Sequence, residues 1–196
     1  METYKGVACV APLNAAAWRQ WLAQHHKAEK SVWLVLYHKG KADHNLTYSD
    51  AVDEALCFGW IDSKPNKRDA ISSYLYMSVR NPKSNWSGVN KQKIERLMAE
   101  QRMADAGLAM VALAKSTGTW HALDAVDALQ LPAQMEALLN DNITAARHWA
   151  AFPKSAKRGI LEWIYNAKTE PTRLRRIEAA VALAEKNQRA NQFKRP

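Results

Sequence analysis

Residues 60–79 read WIDSKPNKRDAISSYLYMSV, and the fold class turns on how this stretch is read. Its second part alternates. Ile71, Ser73, Leu75, Met77 and Val79 fall on one side of an extended chain, Tyr74 and Tyr76 on the other, which is the period of two expected of a strand with two different faces. Its first part is a short apolar start, Trp60-Ile61, running into turn residues near Pro65 to Asp69, so the spacing predicts two strands in a hairpin-like pair. Val32 to Tyr37 is a continuous apolar run with β-branched and aromatic residues, which predicts a third strand buried on both faces.

Helices are expected outward from this sheet. Asn14 can cap one that carries Trp18, Trp21, Leu22 and His25 on a single face. Residues 39–45, KGKADHN, read as a turn. Thr47 or Ser49 caps the next helix, with Val52, Ala55 and Leu56 inward and Gly59 at its end. The segment RNPKSNWSG, residues 80–88, ends the last strand and offers Ser84 or Asn85 as the cap of a helix whose buried side is Ile94, Leu97 and Met98. Asp105 caps another that runs through Leu108, Val111 and Ala112 to Gly118. Helices at about 132–140, 142–151, 154–168 and 170–188 complete the chain, the last opened by Thr169 and Pro171. The expected fold is therefore α+β: a small mixed sheet with helices in residues 1–122, an all-helical C-terminal module in 123–190, and a tail, 191–196.

Composition bounds the function classes. The chain has 196 residues, of which 47% are apolar or aromatic and 24% charged, enough to bury a core without a disulfide or cofactor. The short apolar run near the start does not suit a secretory core region, and no stretch reaches the roughly 18 apolar residues of a membrane span. A cytoplasmic protein without membrane insertion is the expectation. Two cysteines, Cys9 and Cys57, lack the close spacing of a zinc or redox motif and read as buried, reduced thiols.

The net charge of +9 is unevenly placed: residues 153–196 carry eleven Lys/Arg against four Asp/Glu, and residues 64–96 carry eight against two. Residues 104–152 reverse the sign, with two against five. Two positive blocks favour anionic partners, although the same charges also serve as solvated faces that keep a protein soluble. Glycine-rich phosphate loops, a Gly-x-Ser-x-Gly elbow and an HExxH helix do not occur, and the six histidines form no i,i+4 ligand pair. No cofactor or metal site is expected, and no catalytic residue is singled out.

Two groups of residues remain as candidate sites. Trp60, Asp62 and Lys64 would stand near Arg80, Lys83, Ser84, Asn85 and Trp86 if their segments are neighbouring strand ends. Cations, aromatic faces and a helix N-terminus would then converge as they do around an anion or a planar ligand. The same residues read equally as caps, a strand end and core tryptophans. The second group, Arg173, Arg175 and Arg176, could lie along phosphates of a nucleic acid, although Glu178 and Glu185 are interspersed.

Several segments in order resemble one family, the bacterial YdeI/OmpD-associated proteins, also described as bacteriocin-protection proteins. They are LTYSDAVDEALCFGWIDS (46–63), PKSNWSGVNKQKIERL (82–97), RMADAGLAMVALAKSTGTW (102–120) and SAKRGILEWIYNAKTEPTRLRRIEAAVALA (155–184). Where the family often has an aromatic-Pro-Arg piece, this chain has Val79-Arg80-Asn81. The resemblance implies an association with envelope proteins and with survival of bacteriocin or peptide stress, and it implies no reaction. The expectation is a non-enzymatic binding or regulatory protein whose partner is an anionic small ligand or a protein. A nucleic-acid-binding protein and an enzyme with a site near Trp60 and Trp86 are the alternatives.

Overall fold

A computed structural model describes residues 2–40 and 46–191. The chain divides into two compact units, Met1–His121 and Ala122–Pro196. Most of the turn expected at 39–45, and all but one residue of the 191–196 tail, lie outside the described residues.

The first unit is built on a five-stranded mixed sheet. Its strands are β1 (Thr3–Tyr4), β2 (Val7–Val10), β3 (Ser31–Tyr37), β4 (Trp60–Lys67) and β5 (Ser72–Val79), in the order β1-β2-β3-β5-β4. The pair β2 and β3 is parallel, and α1 (Ala15–His25) lies between them in sequence. The other pairs are antiparallel, including the expected β4–β5 hairpin, whose register shifts between Asp62 and Pro65. A proline cannot donate to the ladder, so a shift at Pro65 is where the chemistry places it.

Alternation along β5 sorts the two faces of the sheet. Leu75 and Met77 pair with Leu34 and Val32 and enter a core shared with α1, α2 (Tyr48–Cys57), α3 (Gly88–Ala99) and α4 (Asp105–Ser116), including Trp18, Leu22, Leu56, Trp60, Trp86, Ile94 and Leu97. Tyr74 and Tyr76 turn the other way and pack with Trp33, Val35, Cys9, Tyr4 and Tyr37 in a separate cluster made of strand residues. Burying a large apolar side chain contributes roughly 1.5–3 kcal/mol, so the helix-covered face supplies most of the hydrophobic stabilisation.

Helix starts follow side-chain chemistry. Asn14 Oδ1 accepts from Ala17 N at 2.9 Å, and Thr47 with Asp50 forms a reciprocal capping box on α2. The cap of α3, however, is Ser87, which accepts from Asn90 N at 3.3 Å, and not Ser84 or Asn85. Ser84 is engaged elsewhere, its hydroxyl donating to Asn81 O at 2.7 Å in the preceding turn. In α4 the buried residues are Gly107, Val111 and Ala114, whereas Leu108 and Ala112, expected inward, are exposed, and Asp105 is the first helical residue after an Ala104 cap. The reason is a close approach: a Cβ at Gly107 would lie 2.3 Å from the Cys57 carbonyl oxygen. Only glycine fits there, and the helix is rotated to put it there. Met98 is likewise 41% exposed, because Ile94 and Leu97 already fill that side of α3.

Two carboxylates on α2 are buried and paired. Asp53 accepts from Lys93 Nζ at 2.5 Å and from Arg96 Nη2, both on α3. Glu54 accepts from Arg19 Nη1 at 2.7 Å, on α1, and from Arg102 Nη2 at 2.6 Å. Adjacent acids thus tie α2 to helices on both sides.

The second unit is all helix among its described residues: α5 (Asp124–Asp127), α6 (Ala133–Asn140), α7 (Ile143–Ala151), α8 (Lys154–Tyr165) and α9 (Glu170–Glu185). The last helix is its centre, packing on α6, α7 and α8 through Ile177, Ala180, Val181 and Ala184. Pro132 and Thr169 stand at the N-caps of α6 and α9, and Pro171 lies in the first turn of α9, where its missing N–H costs nothing. No helix among the described residues is long and apolar enough to cross a membrane.

Candidate functional site

The hairpin brings the two segments of the first candidate group together at the backbone. Trp60 is opposite Val79 in the ladder, and Arg80 N donates to Gly59 O at 2.9 Å. Their side chains then diverge. Trp60 is 1% exposed, packs edge-on against Trp21 and donates its indole N–H to His26 O at 3.4 Å. Asp62 accepts from the Tyr48 hydroxyl at 2.7 Å; burial and this carboxylate push the Tyr48 phenol up to about 12. Lys64 and Lys83 are exposed.

Arg80 and Trp86 do meet. The guanidinium carbon stands 3.8 Å from the centre of the Trp86 ring, and Nη2 donates to Asn85 O at 2.5 Å. Trp86 itself is 2% exposed and packs on Trp120. Arg80 is 4% exposed, its Nε–H is buried without a hydrogen-bond partner, and no described carboxylate forms an ion pair with it. Burial pushes this guanidinium down to about 10, so it remains charged at neutral pH. A cation in that position is expensive, because an aromatic face and one carbonyl replace only part of its hydration.

The arginines of the second group separate. Arg173 is bonded to Glu170 at 2.8 Å. Arg175 and Arg176 instead border a cleft of about 290 Å3 with Trp163, Thr172 and Ala179. Thr172, Arg175, Arg176 and Ala179 follow at i, i+3, i+4 and i+7, one stripe of α9, and Trp163 comes from α8. Arg176 lies 5.0 Å from the centre of the Trp163 ring and donates Nη1 to Trp163 O. Arg175 Nη2 reaches Thr172 Oγ1 at 3.4 Å, a long contact, and that oxygen also accepts from Thr169 at 2.9 Å. Neither arginine has a carboxylate partner among the described residues. Thr172 was not picked out from the sequence, although the stripe on α9 was open to view there.

A further cleft of about 310 Å3 in the first unit is lined by Leu36, Tyr37, His38, Lys39, Leu46, Thr47, Tyr48 and Ser73, and His38 Nε2 is 2.9 Å from Ser73 Oγ. Cys9 and Cys57 are both buried free thiols, and desolvation raises the pKa of each. Among the described residues there is no group of three or more His, Cys, Asp or Glu placed to hold a metal ion.

Comparison with known proteins divides the chain much as its contacts do. Residues 10–110 match the family described as a domain of unknown function, DUF8412. Residues 128–187 match the family described as bacteriocin-protection, YdeI or OmpD-associated. The YdeI/OmpD resemblance is thus located in the second unit, while the motifs at 46–63 and 82–97 fall within the first match. No curated protein and no solved structure matches the chain. The chain belongs to the DUF8412 family through residues 10–110, and its residues 128–187 are similar to the family described as bacteriocin-protection, YdeI or OmpD-associated.

Proposed function

We propose that this is a non-enzymatic binding protein that recognises an anionic ligand and contributes to survival of bacteriocin or peptide stress. One observation carries the reading. Among the described arginines, Arg19, Arg68, Arg96, Arg102, Arg158 and Arg173 each hold a carboxylate within 3.1 Å, while Arg80, Arg147, Arg175, Arg176 and Arg189 hold none, and of these Arg175 and Arg176 border one cleft together with Trp163. Arg175 is exposed and Arg176 half-buried, so an anion from solvent can reach guanidinium donors that no carboxylate of the chain occupies. The match of residues 128–187 to a bacteriocin-protection family supports the physiological half of the reading.

An extended nucleic-acid track along α9 is less well supported, since Arg173 is neutralised by Glu170 and Glu178 and Glu185 stand on the same helix. The test is thermal denaturation of the full chain with inorganic phosphate, pyrophosphate, citrate and a short single-stranded RNA. A ligand bound to the native state raises the melting temperature. The reading expects small polyanions to do so. If none moves the transition of a cooperatively melting protein, it fails. A rise confined to the RNA, and abolished by moderate salt, would favour the nucleic-acid alternative. For the physiological half, cells lacking the gene should become sensitive to a cationic bacteriocin, and wild-type protein should restore resistance where the double variant Arg175→Gln/Arg176→Gln does not.

A further inference from the structure

Resting on that reading, we propose that the cleft between α8 and α9 binds a phosphate monoester carried on a small apolar or planar group. The lining of the cleft combines two chemistries. Arg175, Arg176 and the Thr172 hydroxyl supply hydrogen-bond donors. A guanidinium has five N–H donors; Arg176 commits Nη1 to Trp163 O and Arg175 directs Nη2 at Thr172, so most of the fork on each remains for a ligand. Two such forks one residue apart match the three terminal oxygens of a phosphate monoester better than the two of a carboxylate. Trp163 and Ala179 supply apolar surface in the same lining, suited to whatever the phosphate esterifies.

Size narrows the class. A volume of about 290 Å3 lies just below the roughly 300–1,000 Å3 typical of small-molecule sites, enough for a phosphate and one ring or short chain. The site is also prepared before the ligand arrives. Trp163 O and the Trp163 ring hold Arg176 in place, so little side-chain freedom is lost on binding.

A soluble metabolite and a membrane lipid can present the same phosphate monoester. Calorimetric titration of the full chain with phenyl phosphate, methyl phosphate and inorganic phosphate tests the first source; flotation with phosphatidylcholine vesicles, with and without phosphatidic acid, tests the second. Phenyl phosphate is expected to bind more tightly than inorganic phosphate. Arg175→Gln and Arg176→Gln should each weaken it by roughly tenfold or more, as loss of a charge-assisted hydrogen bond does. Trp163→Leu should reduce the preference for the phenyl ester, and Arg147→Ala on the neighbouring α7 should change nothing. Flotation that requires phosphatidic acid and is lost in the same arginine variants would support the site with a lipid as its source. Binding that persists undiminished in the double variant Arg175→Gln/Arg176→Gln, with that variant melting cooperatively, overturns the cleft while leaving anion recognition by the protein standing. Absence of binding to every phosphate monoester, soluble or lipid, overturns the cleft as well. If citrate and pyrophosphate are then also inert, the broader reading falls with it.

Discussion

The Arg80 guanidinium is stacked 3.8 Å from the centre of the Trp86 ring, six residues further along the chain, with both side chains almost wholly removed from solvent. The contact closes the loop between β5 and α3, and Arg80 Nη2 fastens it to Asn85 O. It also leaves a buried charge with no carboxylate among the described residues. Such an arrangement sacrifices stability, which gives it a measurable signature.

Arg80→Met keeps much of the side chain's volume and removes the charge. Since exchanging buried ions for apolar groups of similar volume is often neutral or stabilising by about 1–4 kcal/mol, the variant should unfold in urea at the same midpoint as wild type or a higher one. Equilibrium unfolding followed by tryptophan fluorescence measures this. A loss greater than ~2 kcal/mol would mean that the Asn85 hydrogen bond and the cation–π contact outweigh the desolvation of the charge.

Gly107→Ala should be destabilising well beyond its usual effect in a helix. In an ordinary helix interior the change gains about 1 kcal/mol; here the new Cβ would sit 2.3 Å from the Cys57 carbonyl oxygen and 2.8 Å from the Met103 methyl group. Helices α2 and α4 must separate, at a cost of about 1–3 kcal/mol or more. A melting temperature equal to or above that of wild type would show that the two helices yield freely.

Glu54→Gln removes the carboxylate shared by Arg19 and Arg102. Breaking a buried pair costs about 3–5 kcal/mol, but the two arginine side chains are 37% and 35% exposed and regain water, so a loss of about 2 kcal/mol is expected. Chemical denaturation of Glu54→Gln, of Arg19→Gln and of the two combined would show whether the energy belongs to the pair.

Tyrosine ionisation gives a pH test. Tyr48 titrates at about 12 in the folded chain, through burial and its bond to the Asp62 carboxylate, against an ordinary value of about 10. The folded pKa is raised, so the stability linked to it is fully present below pH 10 and is lost as pH rises towards 12. In an alkaline titration followed by tyrosinate absorbance Tyr48 should ionise late, as should Tyr74, whose hydroxyl is bonded to Glu2, and Asp62→Asn should bring back Tyr48 alone. If Asp62→Asn leaves the titration unchanged, the Tyr48–Asp62 bond is not what holds it.

The sheet and its two faces were legible in the sequence, because a period of two along residues 71–79 needs no knowledge of partners, and the same holds for Asn14, Thr47 and Gly59 as helix boundaries. The strands β1 and β2 were not, being two and four residues long, too short for periodicity to register. In the candidate sites, the sequence left it as a condition that the segments holding Trp60 and Arg80 be neighbours, and the β4–β5 pairing sets them side by side. Their side chains' directions depend on packing, which sends Trp60 towards Trp21 and Arg80 onto Trp86.

By itself the sequence determined the α+β class, the positions of most helices and the uneven positive charge, since these follow from local periodicity, capping chemistry and composition. Tertiary structure decided which face of α4 is buried, which serine caps α3 and which arginines are left without a counter-charge. Each of these is set by a distance between residues far apart in the chain: Gly107 against Cys57, Trp86 against Trp120, Arg176 against Trp163. Such distances arise only when elements pack, because a side chain's neighbours in the fold are chosen by the shape of the whole core and not by its neighbours in sequence.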